Sequence, residues 1–130
     1  MRILVDTQCW LWMNAAPERL STGVRRRLLA ADTTLFLSAA SAWELAIKYA
    51  LGKLHLPDPP AEYVSSRMRQ TKTTPLAVSH EHALEVATLP AHHRDPFDRL
   101  LVAQAKIERL PILTVDRHFA LYDIEVIDAA

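Results

Sequence analysis

The sequence predicts an α/β fold in which helices cover both faces of a parallel sheet. Short apolar runs without polar alternation, Ile3-Leu4-Val5 and Ile112-Leu113-Thr114-Val115 above all, have the composition of strands buried on both sides. Segments of helical spacing lie between the strand candidates, and that alternation calls for right-handed crossovers between parallel strands. The chain has 130 residues, 50% of them hydrophobic, which suits one core, so residues 1–130 are expected to form a single domain.

Each element follows from local signals. The opening strand ends at Asp6-Thr7, and helical spacing begins at once from Gln8 to Asn14 through Trp10, Leu11 and Met13, closed by Pro17. Ser21 reads as the N-cap of a helix through Val24, Leu28 and Leu29, with Arg25-Arg26-Arg27 on a solvated face. Thr34 to Ser38 is the second strand. A helix from about Ala40 to Leu51 carries its period on Trp43, Ile47 and Leu51, and Gly52 stops it. Leu56-Pro57-Asp58-Pro59-Pro60 is a rigid connection. A helix over Ala61 to Gln70, a short strand at Leu76-Ala77-Val78 and a Ser79-capped helix through Ala83, Leu84 and Ala87 come next. Asp95-Pro96-Phe97-Asp98 is a helix start: an N-cap acid, proline in the first turn and an acid at the third position. That helix runs to about Arg109, where Leu110-Pro111 ends it. The fourth strand follows and terminates at Asp116; a helical turn from His118 to Tyr122 and a fifth strand at Val126-Ile127 complete the chain.

Fifteen basic and fifteen acidic residues cancel, which argues against a broad cationic face for nucleic acid, although a local patch is compatible with this balance. The single cysteine, Cys9, has no intrachain partner and reads as a small core residue in a reducing cytosol. Asp6 interrupts the N-terminal apolar run before a signal-peptide core develops, and no later run is long enough to cross a bilayer. A cytoplasmic protein without membrane contact is therefore expected.

Asp6, Glu44, Asp98 and Asp116 lie far apart in sequence but at corresponding places, where a strand ends or soon afterwards, near a helix start. In an open α/β sheet these places share the carboxyl edge, where ligands bind. Two unit charges about 4 Å apart repel by roughly 4 kcal/mol at an effective dielectric near 20, so four carboxylates in one cleft require protons or cations. An oxygen-only donor set suits Mg²⁺ or Mn²⁺, and such ions activate water and stabilise the leaving oxygen of a phosphodiester. Each acid alone has a structural reading: Asp98 as the partner of Asp95 in a capping box, Asp6 and Asp116 as strand-end turn formers, Glu44 as a solvated helical residue. Their shared placement favours the cluster.

The residues around these acids resemble those of PIN-domain ribonucleases, and more narrowly the VapC-type toxins of bacterial type II toxin-antitoxin pairs. The resemblance is carried by Leu4-Val5-Asp6-Thr7, by Ser38 through Lys48 with Leu51-Gly52-Lys53-Leu54, by His93-Arg94-Asp95-Pro96-Phe97-Asp98-Arg99 with Ala103-Gln104-Ala105, and by Leu113-Thr114-Val115-Asp116. The Trp43-Glu44-Leu45 and Asp95-to-Arg99 blocks are the specific ones. It implies a PIN-like three-layer fold, a five-stranded parallel sheet between helices, and a Mg²⁺-dependent (or Mn²⁺-dependent) endoribonuclease with Asp6, Glu44, Asp98 and Asp116 as catalytic metal ligands, Asp6 and Asp98 foremost. Thr7, Ser41 and Thr114 would orient carboxylates or water. Arg94, Arg99 and Arg117 are candidates to hold RNA phosphates. Gln8 stands where many relatives carry His. The resemblance further implies an RNA substrate, a VapB-like antitoxin whose C-terminal segment fills the groove, and a homodimer; the stretch Trp10-Leu11-Trp12-Met13 offers apolar surface for a second protomer or antitoxin, or packs on the domain's own sheet.

Rival folds with strand-end acids fail on single residues. A phospho-acceptor receiver domain needs a second acid beside Asp6, where Thr7 stands, and a haloacid-dehalogenase-type phosphatase needs one two residues on, where Gln8 stands. Two functional alternatives stay open: a metal-independent ribonuclease using His92, His93 or His118 as general acid and base, and a catalytically silent module that binds RNA or protein.

Overall fold

A computed structural model describes all residues, Met1 to Ala130, and contains the five expected strands in one parallel sheet. The strands are β1 (Arg2–Val5), β2 (Thr34–Ser38), β3 (Thr74–Leu76), β4 (Ile112–Thr114) and β5 (Val126–Asp128), in the spatial order β3-β2-β1-β4-β5. From β1 the chain builds outward through β2 to β3, then returns to the other side of β1 for β4 and β5. That reversal falls between β1 and β4, where the C-terminal ends of adjacent strands leave a crevice.

Six helices flank the sheet: α1 (Thr7–Ala15), α2 (Thr22–Leu29), α3 (Ala39–Ala50), α4 (Pro60–Thr71), α5 (His80–Glu85) and α6 (Pro96–Glu108). The alternation within β1 divides the core. Ile3 and Val5 pack with Trp10, Leu35, Leu37, Leu45, Tyr63 and Leu113 on one face, while Leu4 packs with Leu101, Val102, Ala105, Ile112 and Phe119 on the other. Both faces of the sheet are therefore dry, as the unalternating apolar runs require. Cys9 and Trp10 are fully buried, and Leu11, Trp12 and Met13 pack against the same cluster partly exposed. Burial, followed by the neighbouring Asp6 charge, pushes the Cys9 thiol up, which makes it an inert core group. No helix is long and apolar enough to cross a membrane.

Local signals place most boundaries. Ser21 caps α2 through Val24, and Asp95 accepts from the Phe97 and Asp98 N–H groups at the start of α6. The end of α3 is a Schellman motif: Gly52 takes φ 73°, its N–H reaches the Tyr49 carbonyl, and the Lys53 N–H reaches that of Lys48. Three expectations shift. Pro17 opens a 3-10 turn, Pro17–Arg19, instead of merely closing α1. The third strand lies at Thr74–Leu76, two residues earlier than its apolar run suggests, and Pro75 is accommodated because β3 is an edge strand. In α3 the expected stripe does not pack as a whole: Trp43 and Leu51 are 60% and 63% exposed and Ile47 is half-buried, while the buried face is Ala40, Ser41, Glu44 and Leu45.

Candidate active site

Asp6, Glu44, Asp98 and Asp116 line one cleft of about 420 Å³ at the carboxyl edge of the sheet, together with Thr7, Gln8, Lys48, Lys53 and Asp95. A larger groove, about 560 Å³, lies elsewhere between α2 and the end of α4 and has no acidic side chain in its lining. Each acid reaches the cleft by a different local route.

Asp6 follows β1 and is the N-cap of α1, with Oδ1 accepting from the Cys9 N–H at 2.7 Å. Its Oδ2 accepts from the Thr114 hydroxyl at the end of β4. The Thr114 oxygen in turn accepts from the Asp116 N–H at 3.0 Å, so one buried hydroxyl ties the two strand-end acids together. Burial raises the Asp6 carboxyl above its ordinary range; the Thr114 and Cys9 hydrogen bonds oppose that, and the nearby Asp116 charge adds to it.

Asp116 caps the 3-10 turn Arg117–Leu121 through the His118 N–H. Burial works to raise this carboxyl, but the His118 N–H and the rings of His93 and His118 outweigh it and hold the group below its usual value. Glu44 is buried on the inner face of α3, with Oε2 2.7 Å from Lys48 Nζ. Its Oε1 is also buried and has no hydrogen-bond partner. A desolvated carboxylate oxygen without a donor is costly, and a cation in the cleft would relieve it. The Lys48 ammonium is raised chiefly by its bond to Glu44, with the charges of Glu44, Asp95 and Asp98 also contributing.

The capping-box reading of Asp98 does not hold, because the structure gives that place to another group. The Asp95 N–H, which a capping box would offer to Asp98, donates to His93 Nδ1 at 3.1 Å. Asp98 is thereby left facing the cleft, where burial first, then the charges of Asp95, Glu44 and Asp6, push its carboxyl up to about 7, with His93 opposing. His93 Nε2 lies 3.0 Å from Asp98 Oδ2 and 2.9 Å from Asp116 Oδ2.

The remaining expected residues divide. Thr7 and Ser41 bond to each other, hydroxyl to hydroxyl at 2.9 Å, joining the first turns of α1 and α3 without touching a carboxylate. Thr114 touches Asp6 directly. Arg94 and Arg117 are exposed and adjoin Asp95 and Asp116 in sequence, but neither lines the cleft. Arg99 does not point at the cleft as a free cation: its guanidinium donates to the carbonyls of Val86, Leu89, Pro90 and His93 and to the Tyr122 hydroxyl. Its donors are committed to pinning the segment that leads into α6, which corrects its reading as a phosphate contact. Lys48 and Lys53, cations on the cleft wall, were missed. The Lys48 position four residues after Glu44 on one helix was the available signal.

The cleft contains carboxylate oxygens in excess of donors, and the unpartnered Glu44 oxygen and the raised Asp98 both fit a hard divalent cation held by Asp6, Glu44, Asp98 and Asp116. The sequence profile of the PIN domain matches residues 3–125 of this chain. The chain belongs to the PIN-domain family. Ribonuclease VapC16 of Mycobacterium tuberculosis is 59% identical over 49 residues, which are 38% of this chain and 35% of that relative. The match thus spans about a third of the relative's length. Among solved structures, VapBC2 from Rickettsia felis bound to a promoter DNA fragment superposes with a TM-score of 0.74 at 14% identity, covering 98% of both chains. DNA-bound VapBC from Salmonella typhimurium gives 0.73 at 19%, covering 100% of this chain and 99% of that one. FitAcB from Neisseria gonorrhoeae gives 0.67 at 22%, covering 98% and 97%. At such identities these likenesses establish the fold, and the PIN-like three-layer arrangement expected from sequence is the one observed.

Proposed function

We propose that this PIN protein is a VapC-type toxin, a Mg²⁺-dependent endoribonuclease that hydrolyses RNA phosphodiesters in the acidic cleft. The reading is supported above all by the buried Glu44 oxygen that lacks a donor in a cleft it shares with Asp6, Asp98 and Asp116. Asp6, Glu44, Asp98 and Asp116 would hold the ion, which supplies an activated water and neutralises charge at the scissile phosphate. Asp6 is set by its cap to Cys9 and by Thr114, and Lys48 fixes one Glu44 oxygen. Exposed Arg94 and Arg117 with Lys48 and Lys53 would attract RNA phosphates at the rim. The similarity to Ribonuclease VapC16 supports an RNA substrate, and the VapBC proteins among the fold relatives support a VapB-like antitoxin partner. The half-buried Leu11, Trp12 and Met13 are the proposed contact for that partner or for a second protomer of a homodimer.

The test is RNA cleavage by purified protein with Mg²⁺ and with EDTA. Chelation should abolish cleavage, and Asp98→Asn should do so without unfolding the chain. Activity that survives EDTA and leaves a 2′,3′-cyclic phosphate would instead establish a histidine-based ribonuclease, for which His93 and His118 on either side of Asp116 are placed. Expression alone should arrest growth, and co-expression of the cognate antitoxin should relieve it.

A further inference from the structure

The segment His93 to Asp98 carries a device that neither the helix-start pattern nor the metal reading uses. The His93 ring is held from several sides. Its backbone N–H donates to the Tyr122 hydroxyl at 2.8 Å, its carbonyl accepts from Arg99, and the ring packs at 5.9 Å on Phe119. Nδ1 accepts the Asp95 N–H, so the ring proton sits on Nε2. That single N–H is hydrogen-bonded to Asp116 Oδ2 at 2.9 Å, and Asp98 Oδ2 lies 3.0 Å from the same nitrogen, off the direction of that bond.

We propose that His93 is a positioning residue that holds the Asp98 and Asp116 carboxylates together in the orientation that receives a divalent cation. The inference rests on the metal-site reading above. Two adjacent carboxylates repel and would rotate apart; an imidazole N–H that bonds Asp116 with Asp98 Oδ2 3.0 Å from the same nitrogen offsets that repulsion and fixes the Asp116 plane beside Asp98. Arg99 and Tyr122 act one step further out, by fixing the His93 backbone. The chain thereby preorganises a cleft whose acids come from separate elements, α6 and the turn after β4.

His93, Asp116 and His118 also bring three ligand atoms within 4.8 Å of one another, the spacing of a transition-metal site. The hydrogen bonding opposes that use. A metal on Nε2 would move the ring proton to Nδ1, directly against the Asp95 N–H that now donates there. His93 therefore serves as a donor to the Asp116 carboxylate, with Asp98 beside it.

The experiment measures Mn²⁺ binding to RNA-free protein by titration calorimetry for the wild type, His93→Ala, His93→Gln and Asp98→Asn, with melting in EDTA as the folding control. Mutating groups that orient metal ligands commonly costs 10-fold to 100-fold in affinity, and a loss of roughly that size is expected for His93→Ala. His93→Gln, whose amide can donate from near the Nε2 position, should recover most of it. His93→Leu, bulky but without a donor, replaces the alanine variant if that one fails to fold. Unchanged or tighter Mn²⁺ binding in the donor-less variant would overturn the proposal, as would failure of the glutamine rescue. An electron-spin-echo signature of nitrogen bound directly to Mn²⁺ would overturn it too. A wild type that binds no Mn²⁺, or an Asp98→Asn variant that binds as well as wild type, defeats the metal-site reading first and this inference with it.

Discussion

Replacing Asp98 with asparagine should stabilise the metal-free protein at alkaline pH and do little for it at acidic pH. Burial and neighbouring acids push this carboxyl from 3.8 to about 7 in the fold. Because the folded value is raised, the unfolded chain releases its proton first as pH rises. Stability is then lost progressively between about pH 4 and pH 7 and stays lost above that. Roughly three pKa units at 1.36 kcal/mol each set a ceiling of about 4 kcal/mol. The Asp98 side chain is 21% exposed in an open cleft. Water screening there brings the expected cost down to ~2 kcal/mol. Asparagine keeps an acceptor for His93 and removes the charge, so it should recover that amount. For a chain of 130 residues this corresponds to a rise in Tm of roughly 8 °C. The assay is urea and thermal unfolding followed by circular dichroism at about pH 4 and about pH 8, in EDTA and in Mg²⁺. Mg²⁺ should stabilise the wild type by mass action and close the gap. An Asp98→Asn variant no more stable than wild type at pH 8 in EDTA would refute the reasoning, as would a gap that does not change with pH.

Three further outcomes follow from the same contacts. Thr114→Val keeps the buried shape but strips Asp6 and the Asp116 N–H of their shared hydroxyl, and urea unfolding should register a loss of about 1–3 kcal/mol with weaker Mn²⁺ binding. Arg99→Ala leaves the carbonyls of Val86, Leu89, Pro90 and His93 without their donor; hydrogen exchange should accelerate across residues 86–95, and stability should fall by roughly 2–4 kcal/mol. Glu44→Gln supplies an amide in place of an oxygen that has no donor, so the fold should survive while calorimetry shows weaker divalent-cation binding; unchanged binding would remove Glu44 from the ligand set.

Much of this architecture is legible because its signals are local. Apolar runs located β1, β2 and β4, and Ser21, Gly52 and Asp95-Pro96 placed helix ends within a residue or two, since capping and left-handed turns depend on neighbours in the chain. The acids were found through their common place at the carboxyl edge. Where the reading failed, packing overruled pattern. In α3 the apolar stripe of Trp43 and Leu51 looked like the buried face, yet the helix turns Ala40, Ser41, Glu44 and Leu45 inward. Trp43 stays outside, edge-on to Phe97 at 5.2 Å.

The sequence by itself determined the sheet, the helix starts and the four positions from which carboxylates approach one edge, because strand burial and capping are written within a few residues of each site. Only the tertiary structure decided how those carboxylates are held. Thr114 meets Asp6 across 108 positions of sequence, His93 takes the capping N–H that local pattern assigned to Asp98, and Arg99 spends its donors on the segment before α6 instead of on a substrate. Hydrogen bonds between distant elements depend on which atoms the packed sheet brings within about 3 Å, and no local spacing rule encodes that distance.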